Sequence, residues 1–98
     1  MKDLQGRIAI VTGAARGTGA VIAARLVELG ATVVLGDILE EGGTRVAQEL
    51  GERAHFIPHD VTQEGEWNQI VARALELGGR VDVLVNNAAV LHLGTLAN

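Results

Sequence analysis

The sequence contains no cysteine, no serine and no tyrosine, and its one lysine is Lys2. Without thiols there can be no disulfide, no thiolate metal site and no cysteine nucleophile. Such a chain suits a reducing compartment, and a cytoplasmic location is expected. Basic residues are sparse and scattered: 8 lysines and arginines face 12 acids, a formal net charge of −4. No basic stripe exists to hold a phosphate backbone, so no nucleic-acid partner is expected. No apolar run approaches the ~20 residues that span a bilayer. Met1 to Arg7 lack the apolar core of an export signal, so neither a membrane partner nor secretion is expected. The three histidines, His55, His59 and His92, lack ligand spacing, and no metal centre is expected.

What is present is a packable chain. Hydrophobic residues make up 48% of the 98, enough for one domain over residues 1–98 with a core of its own. Strand-like and helix-like patterns alternate. Arg7 to Thr12 is a β-branched run that stops at Gly13. From Gly17 to Leu29 the period changes, with Ile22, Leu26 and Leu29 on one helical face and Gly30 placed as a C-terminal cap. Ala31 to Leu35 reads as a strand ending in Gly36-Asp37. Glu40 to Leu50 reads as a helix with acids in its first turn, weakened by Gly42 and Gly43 at about 1 kcal/mol each. Ala54 to Ile57 is a short strand. Thr62 is placed to cap a third helix whose apolar face is Trp67, Ile70, Val71 and Ala74, with Glu64 and Glu66 on its solvated side. Val81 to Val85 is a fourth strand. Short connections between alternating elements predict an α/β fold with a parallel sheet. The strands lack hydrophobic-polar alternation, as strands covered on both faces should.

The richest stretch is Thr12-Gly13-Ala14-Ala15-Arg16-Gly17-Thr18-Gly19, between the first strand and the first helix. Glycines let backbone turn sharply and approach a ligand. Helix N-terminal amides and the helix dipole favour an anion. Gly13, Arg16, Gly17, Thr18 and Gly19 are therefore candidate pyrophosphate contacts, with Gly19 expected bare to leave room for the ligand. No Gly-Lys-Ser/Thr follows, so this is not a P-loop. Asp37, at the tip of the second strand, stands where this kind of fold meets an adenosine ribose. Its carboxylate can accept from both ribose hydroxyls and repels a 2′-phosphate. Unit charges ~4 Å apart interact by about 1 kcal/mol in water and about 4 in a partly buried site. Ile38 offers no compensating charge, whereas Arg16 could reach round to offset the repulsion. NAD is expected over NADP.

The Thr-Gly-x-x-x-Gly-x-Gly spacing resembles the short-chain dehydrogenase/reductase family, whose fold is a doubly wound Rossmann-type sheet. The resemblance implies strand order 3-2-1-4 for the part present here. It also implies adenine contact by Asp60-Val61, for which helix capping by Asp60 is a compatible role. Asn86-Asn87-Ala88-Ala89 resembles the family's Asn-Asn-Ala-Gly turn, which implies that Asn87, Ala88 and Ala89 run beside the second ribose. Ala89 in place of glycine and Thr18 in place of an aliphatic residue depart from the pattern. A narrower likeness, around Asp37 and Asp60, is to bacterial hydroxysteroid dehydrogenases of the 3α/20β type.

The family transfers a hydride between nicotinamide and an alcohol or ketone, using a tyrosine, a lysine and a serine. None of these roles can be assigned here, so no catalytic residue is named and the 98 residues are expected to be inactive alone, as the cofactor-binding portion of a longer enzyme. The resemblance implies a homo-tetrameric parent. The alternatives are a non-catalytic nucleotide-binding module and another Rossmann enzyme, such as a methyltransferase.

Overall fold

The computed structural model describes residues 3–60 and 62–87. Seven elements alternate: β1 (Ile8–Thr12), α1 (Gly17–Glu28), β2 (Thr32–Asp37), α2 (Glu40–Leu50), β3 (Ala54–Pro58), α3 (Glu64–Gly78) and β4 (Val83–Asn86). The strands form one parallel sheet in the order β3-β2-β1-β4. This is the α/β, Rossmann-type arrangement expected from the sequence.

Period two along the strands divides the core into two faces. Ala9, Val11, Val33 and Leu35 point to one face, where Ala23 and Val27 of α1 and the partly buried Val46, Ala47 and Leu50 of α2 cover them. Ile8, Ile10 and Val34 point to the other, beneath Ile70 and Ala74 of α3. Fully burying a side chain such as Ile10 or Leu35 contributes about 1.5–3 kcal/mol each. Every residue of β1 is buried, which explains why the sequence shows no alternation there.

Several local expectations shift. The buried stripe of α1 is Gly19, Ala23 and Val27; Ile22 and Leu26 lie on its flank. Small residues at the centre let the helix sit close to the sheet. α2 runs unbroken through Gly43, where a Cβ would fall 2.0 Å from the Phe56 ring, so glycine there lets the helix pack onto β3. The N-cap of α3 is Gln63 rather than Thr62. Val71 is exposed, and the face of α3 runs instead through Trp67, Ile70, Ala74 and Leu77. β4 begins at Val83, because the Asp82 carboxylate is engaged at the start of β1: Oδ2 accepts the Ile8 N–H at 2.8 Å and Oδ1 faces Arg7 and Arg80. β4 is an edge of the sheet, and its Leu84 is 56% exposed.

Candidate nucleotide-binding site

The bend after β1 lies at the carboxyl end of the central strand. Its backbone requires glycine at two points, since Gly13 has φ 65° and Gly17 has φ 61°, the left-handed region that other residues enter at a cost of roughly 1–2 kcal/mol. Gly17 opens α1, with Arg16 extended before it and no side chain capping the helix. The first amides of a helix have no intrahelical acceptor, so those of Gly17, Thr18 and Gly19 are available to a ligand. A Cβ on Gly17 would meet nothing within 4 Å, so the space over that turn is open.

Gly19 is bare where α1 meets the end of β1. Its Cβ would lie 2.0 Å from the Gly13 carbonyl oxygen and 3.0 Å from Asn87 Nδ2. The missing side chain lets α1 close against the end of β1.

Tethers hold the bend on both sides. Towards β2, the Ala14 N–H donates to the Gly36 carbonyl at 3.3 Å, and the Ala15 N–H donates to Asp37 Oδ2 at 3.0 Å. Asp37 Oδ1 accepts the Leu39 N–H at 2.9 Å. Towards β4, Asn87 Nδ2 donates to the Gly13 carbonyl at 3.3 Å, and the Thr12 hydroxyl donates to Asn86 Oδ1 at 3.0 Å. Asp37 is 9% exposed. Each carboxylate oxygen has two lone pairs, so the two amides leave acceptor capacity for further hydroxyls.

The glycine bend and Asp37 are thus in contact. Asn87 joins them from just past β4. Arg16, Thr18 and Ile38 are exposed around the rim. Arg16 does not pair with Asp37: among the described residues the ion pairs are Arg7 and Arg80 with Asp82, Arg25 with Glu28, and Arg73 with Glu76. Beside the bend opens a cavity of about 550 Å³ lined by Ala15, Arg16, Ile38, Leu39, Gly42 and Arg45, among others. Arg45 had no sequence signal, because nothing in its helical position separates it from any other solvated arginine. A second groove, about 630 Å³, lies between α2 and β3 and includes none of the bend.

Asp60 sits on the loop after β3. Its Oδ1 accepts both the Thr62 N–H, at 2.9 Å, and the Thr62 hydroxyl, at 2.6 Å. The Thr62 hydroxyl and then its amide hold the Asp60 carboxyl below the usual carboxylate value. The Asp60 N–H donates to Glu66 Oε1 at 2.7 Å, so Glu66 fastens the loop to α3 rather than only facing solvent. Val61, Ala88 and Ala89 lie outside the described residues. Among the described residues no cluster of His, Asp or Glu could hold a metal ion, and no helix is long and apolar enough to cross a membrane.

A family model described as short chain dehydrogenase matches residues 7–98. The chain is 46% identical over 93 residues to a 3-alpha-(or 20-beta)-hydroxysteroid dehydrogenase of Mycobacterium tuberculosis, covering 95% of this chain and 36% of that protein. It is 43% identical over 93 residues to a 3-beta-hydroxysteroid dehydrogenase of Comamonas testosteroni, covering 95% of this chain and 37% of that one. Among solved structures it resembles a 3-ketoacyl-(acyl-carrier-protein) reductase from Brucella melitensis complexed with NADH, with a TM-score of 0.80 and 38% identity over 84% of this chain and 34% of the other. The chain therefore spans little more than a third of the length of the relatives it matches. The match also sets aside the methyltransferase alternative. With its glycine bend, its central parallel strands and this match over nearly its whole length, the chain belongs to the short-chain dehydrogenase family.

Proposed function

We propose that this chain forms the adenosine- and pyrophosphate-binding part of an NAD-dependent oxidoreductase that moves a hydride between nicotinamide and an alcohol or ketone, with steroid-like alcohols as the first substrates to test. The contact between the Ala15 N–H and Asp37 carries the reading. It brings a bend with open helix-terminal amides beside a carboxylate, the pairing a dinucleotide's diphosphate and ribose require.

The residues fit such a ligand. The open space over Gly17 admits a phosphate oxygen to the amides of Gly17, Thr18 and Gly19. Asp37 accepts from the adenosine ribose hydroxyls and disfavours a 2′-phosphate. Ile38, exposed at the rim, and Asp60, on the loop after β3, would contact the adenine. Asn87, which donates to the Gly13 carbonyl, would stand beside the second ribose, as the family resemblance implies. The nicotinamide, when bound, supplies the hydride acceptor. The names of the hydroxysteroid dehydrogenase relatives support the substrate class, and the NADH complex of the reductase supports the cofactor.

Since the sequence has neither serine nor tyrosine, these 98 residues should bind nucleotide without turnover. Titration with NAD, NADP and S-adenosylmethionine tests the reading. NAD should bind most tightly and S-adenosylmethionine not at all. Failure of both nicotinamide dinucleotides to bind would overturn it, and dehydrogenase turnover by these residues alone would contradict the inactivity.

A further inference from the structure

His59 joins the loop that carries Asp60 to the end of β2 that carries Asp37. Its side chain is packed away, with 3% of the residue exposed. Its backbone N–H donates to the Asp37 carbonyl at 3.0 Å. The imidazole meets the Trp67 ring edge-on, centroids 4.6 Å apart at 78°. It also lies against Gly36, where a Cβ would come within 3.0 Å of His59 Cβ and 2.7 Å of Ile70 Cδ1. Nε2 is buried with no hydrogen-bond partner.

We infer that His59 is a positioning residue for the nucleotide site: uncharged, it is wedged between Gly36 and Trp67 and holds the Asp37 and Asp60 loops in register, and on taking a proton it leaves that wedge, so that nucleotide binding weakens with acidification. This rests on the proposed nucleotide reading. A protonated Nε2 would be a charged donor without an acceptor, in a pocket of Trp67, Ile70 and backbone, and burying such a group is strongly unfavourable. The charges facing His59 are Glu66 on α3 and its neighbour Asp60, both of which favour the imidazolium; burial outweighs them and pulls the imidazole below its usual value. The Asp37 carboxylate, on β2, is already engaged by the Ala15 and Leu39 amides.

The test is NAD affinity of the full chain between pH 7.5 and 5, with far-UV circular dichroism confirming the fold at each pH. Affinity should fall with acidification, approaching about tenfold per pH unit, the limit for one linked proton. His59→Leu removes the orphan nitrogen and should flatten the profile. Calorimetry of the unmodified chain in buffers of different ionisation enthalpy gives a readout that needs no variant: NAD binding should release up to one proton at the acid end and none at pH 7.5. A flat profile with no proton release, or a His59→Leu variant that keeps the slope, would overturn the inference. Failure to bind NAD even at pH 7.5 would instead overturn the nucleotide reading.

Discussion

Asp37 Oδ2 accepts the backbone N–H of Ala15 at 3.0 Å, so one carboxylate belongs both to the end of β2 and to the bend that follows β1. The proposed sugar recognition and the shape of the glycine bend therefore depend on one side chain.

Asp37→Ala should therefore act twice. Leaving the buried Ala15 N–H without an acceptor should cost about 1–3 kcal/mol of stability. Losing the carboxylate should narrow the preference for NAD over NADP by about tenfold. Urea unfolding reads the first effect and paired titrations the second. Asp37→Asn retains one acceptor oxygen and should recover part of the stability without the charge discrimination. An unchanged ratio of affinities in both variants would contradict the ribose assignment.

Gly19→Ala and Gly17→Ala should separate two uses of glycine. At Gly19 the added Cβ would lie 2.0 Å from the Gly13 carbonyl, so α1 must shift. Overpacking of this kind costs about 1–3 kcal/mol, and the shift should also remove NAD affinity. At Gly17 there is room, and only the φ of 61° resists alanine, at about 1–2 kcal/mol. Thermal melts should show the larger fall for Gly19→Ala; Gly17→Ala, whose Cβ would enter the open space proposed for the phosphate, should lose NAD affinity with the smaller loss of stability.

Asn87→Ala removes the donor to the Gly13 carbonyl. A net hydrogen bond of this kind is worth about 0.5–1.5 kcal/mol, so NAD should bind about two- to tenfold more weakly while the fold persists. Isothermal titration alongside a melting curve checks this, and equal affinity would remove Asn87 from the site.

Stability should fall with acid in two steps. Burial pulls His55 and His59 below the usual 6.5. A histidine with a depressed folded value binds its proton more readily when unfolded, so its contribution is full above 6.5 and lost as pH falls below it. Asp60 and Asp82 are held below the usual 3.8, Asp60 chiefly by Thr62 and Asp82 chiefly by the Ile8 N–H. Their contribution is full above 3.8 and lost as pH drops through the folded values. Denaturant midpoints at pH 7.5, 5.5 and 3 should decline in that order. Asp82→Asn should shrink only the second decline.

Whereas the sheet order comes with the family resemblance, the element sequence is legible in the chain because most elements are short, strongly patterned and closed by glycine or proline. The meeting of the glycine bend with Asp37 is legible for the same reason: both stand at the carboxyl ends of neighbouring strands. Other features depend on distance in space. The Ile22, Leu26, Leu29 stripe looked like the buried face of α1, but close approach to β1 selects Gly19 and Ala23. Asp82 reads as an interior strand residue until Ile8, Arg7 and Arg80 are seen around it. His59 reads as a lone loop histidine, since its surroundings come from Gly36 and from Trp67 and Ile70 on α3.

The paired anchors of the bend also bear on how a ligand is received. A floppy glycine segment would lose roughly 1–2 kcal/mol per residue in freezing around a guest. Here Gly13, Ala14 and Ala15 are already fastened to Asn87, Gly36 and Asp37. Docking then requires little rearrangement, and the strength of the complex follows directly from the contacts the guest makes.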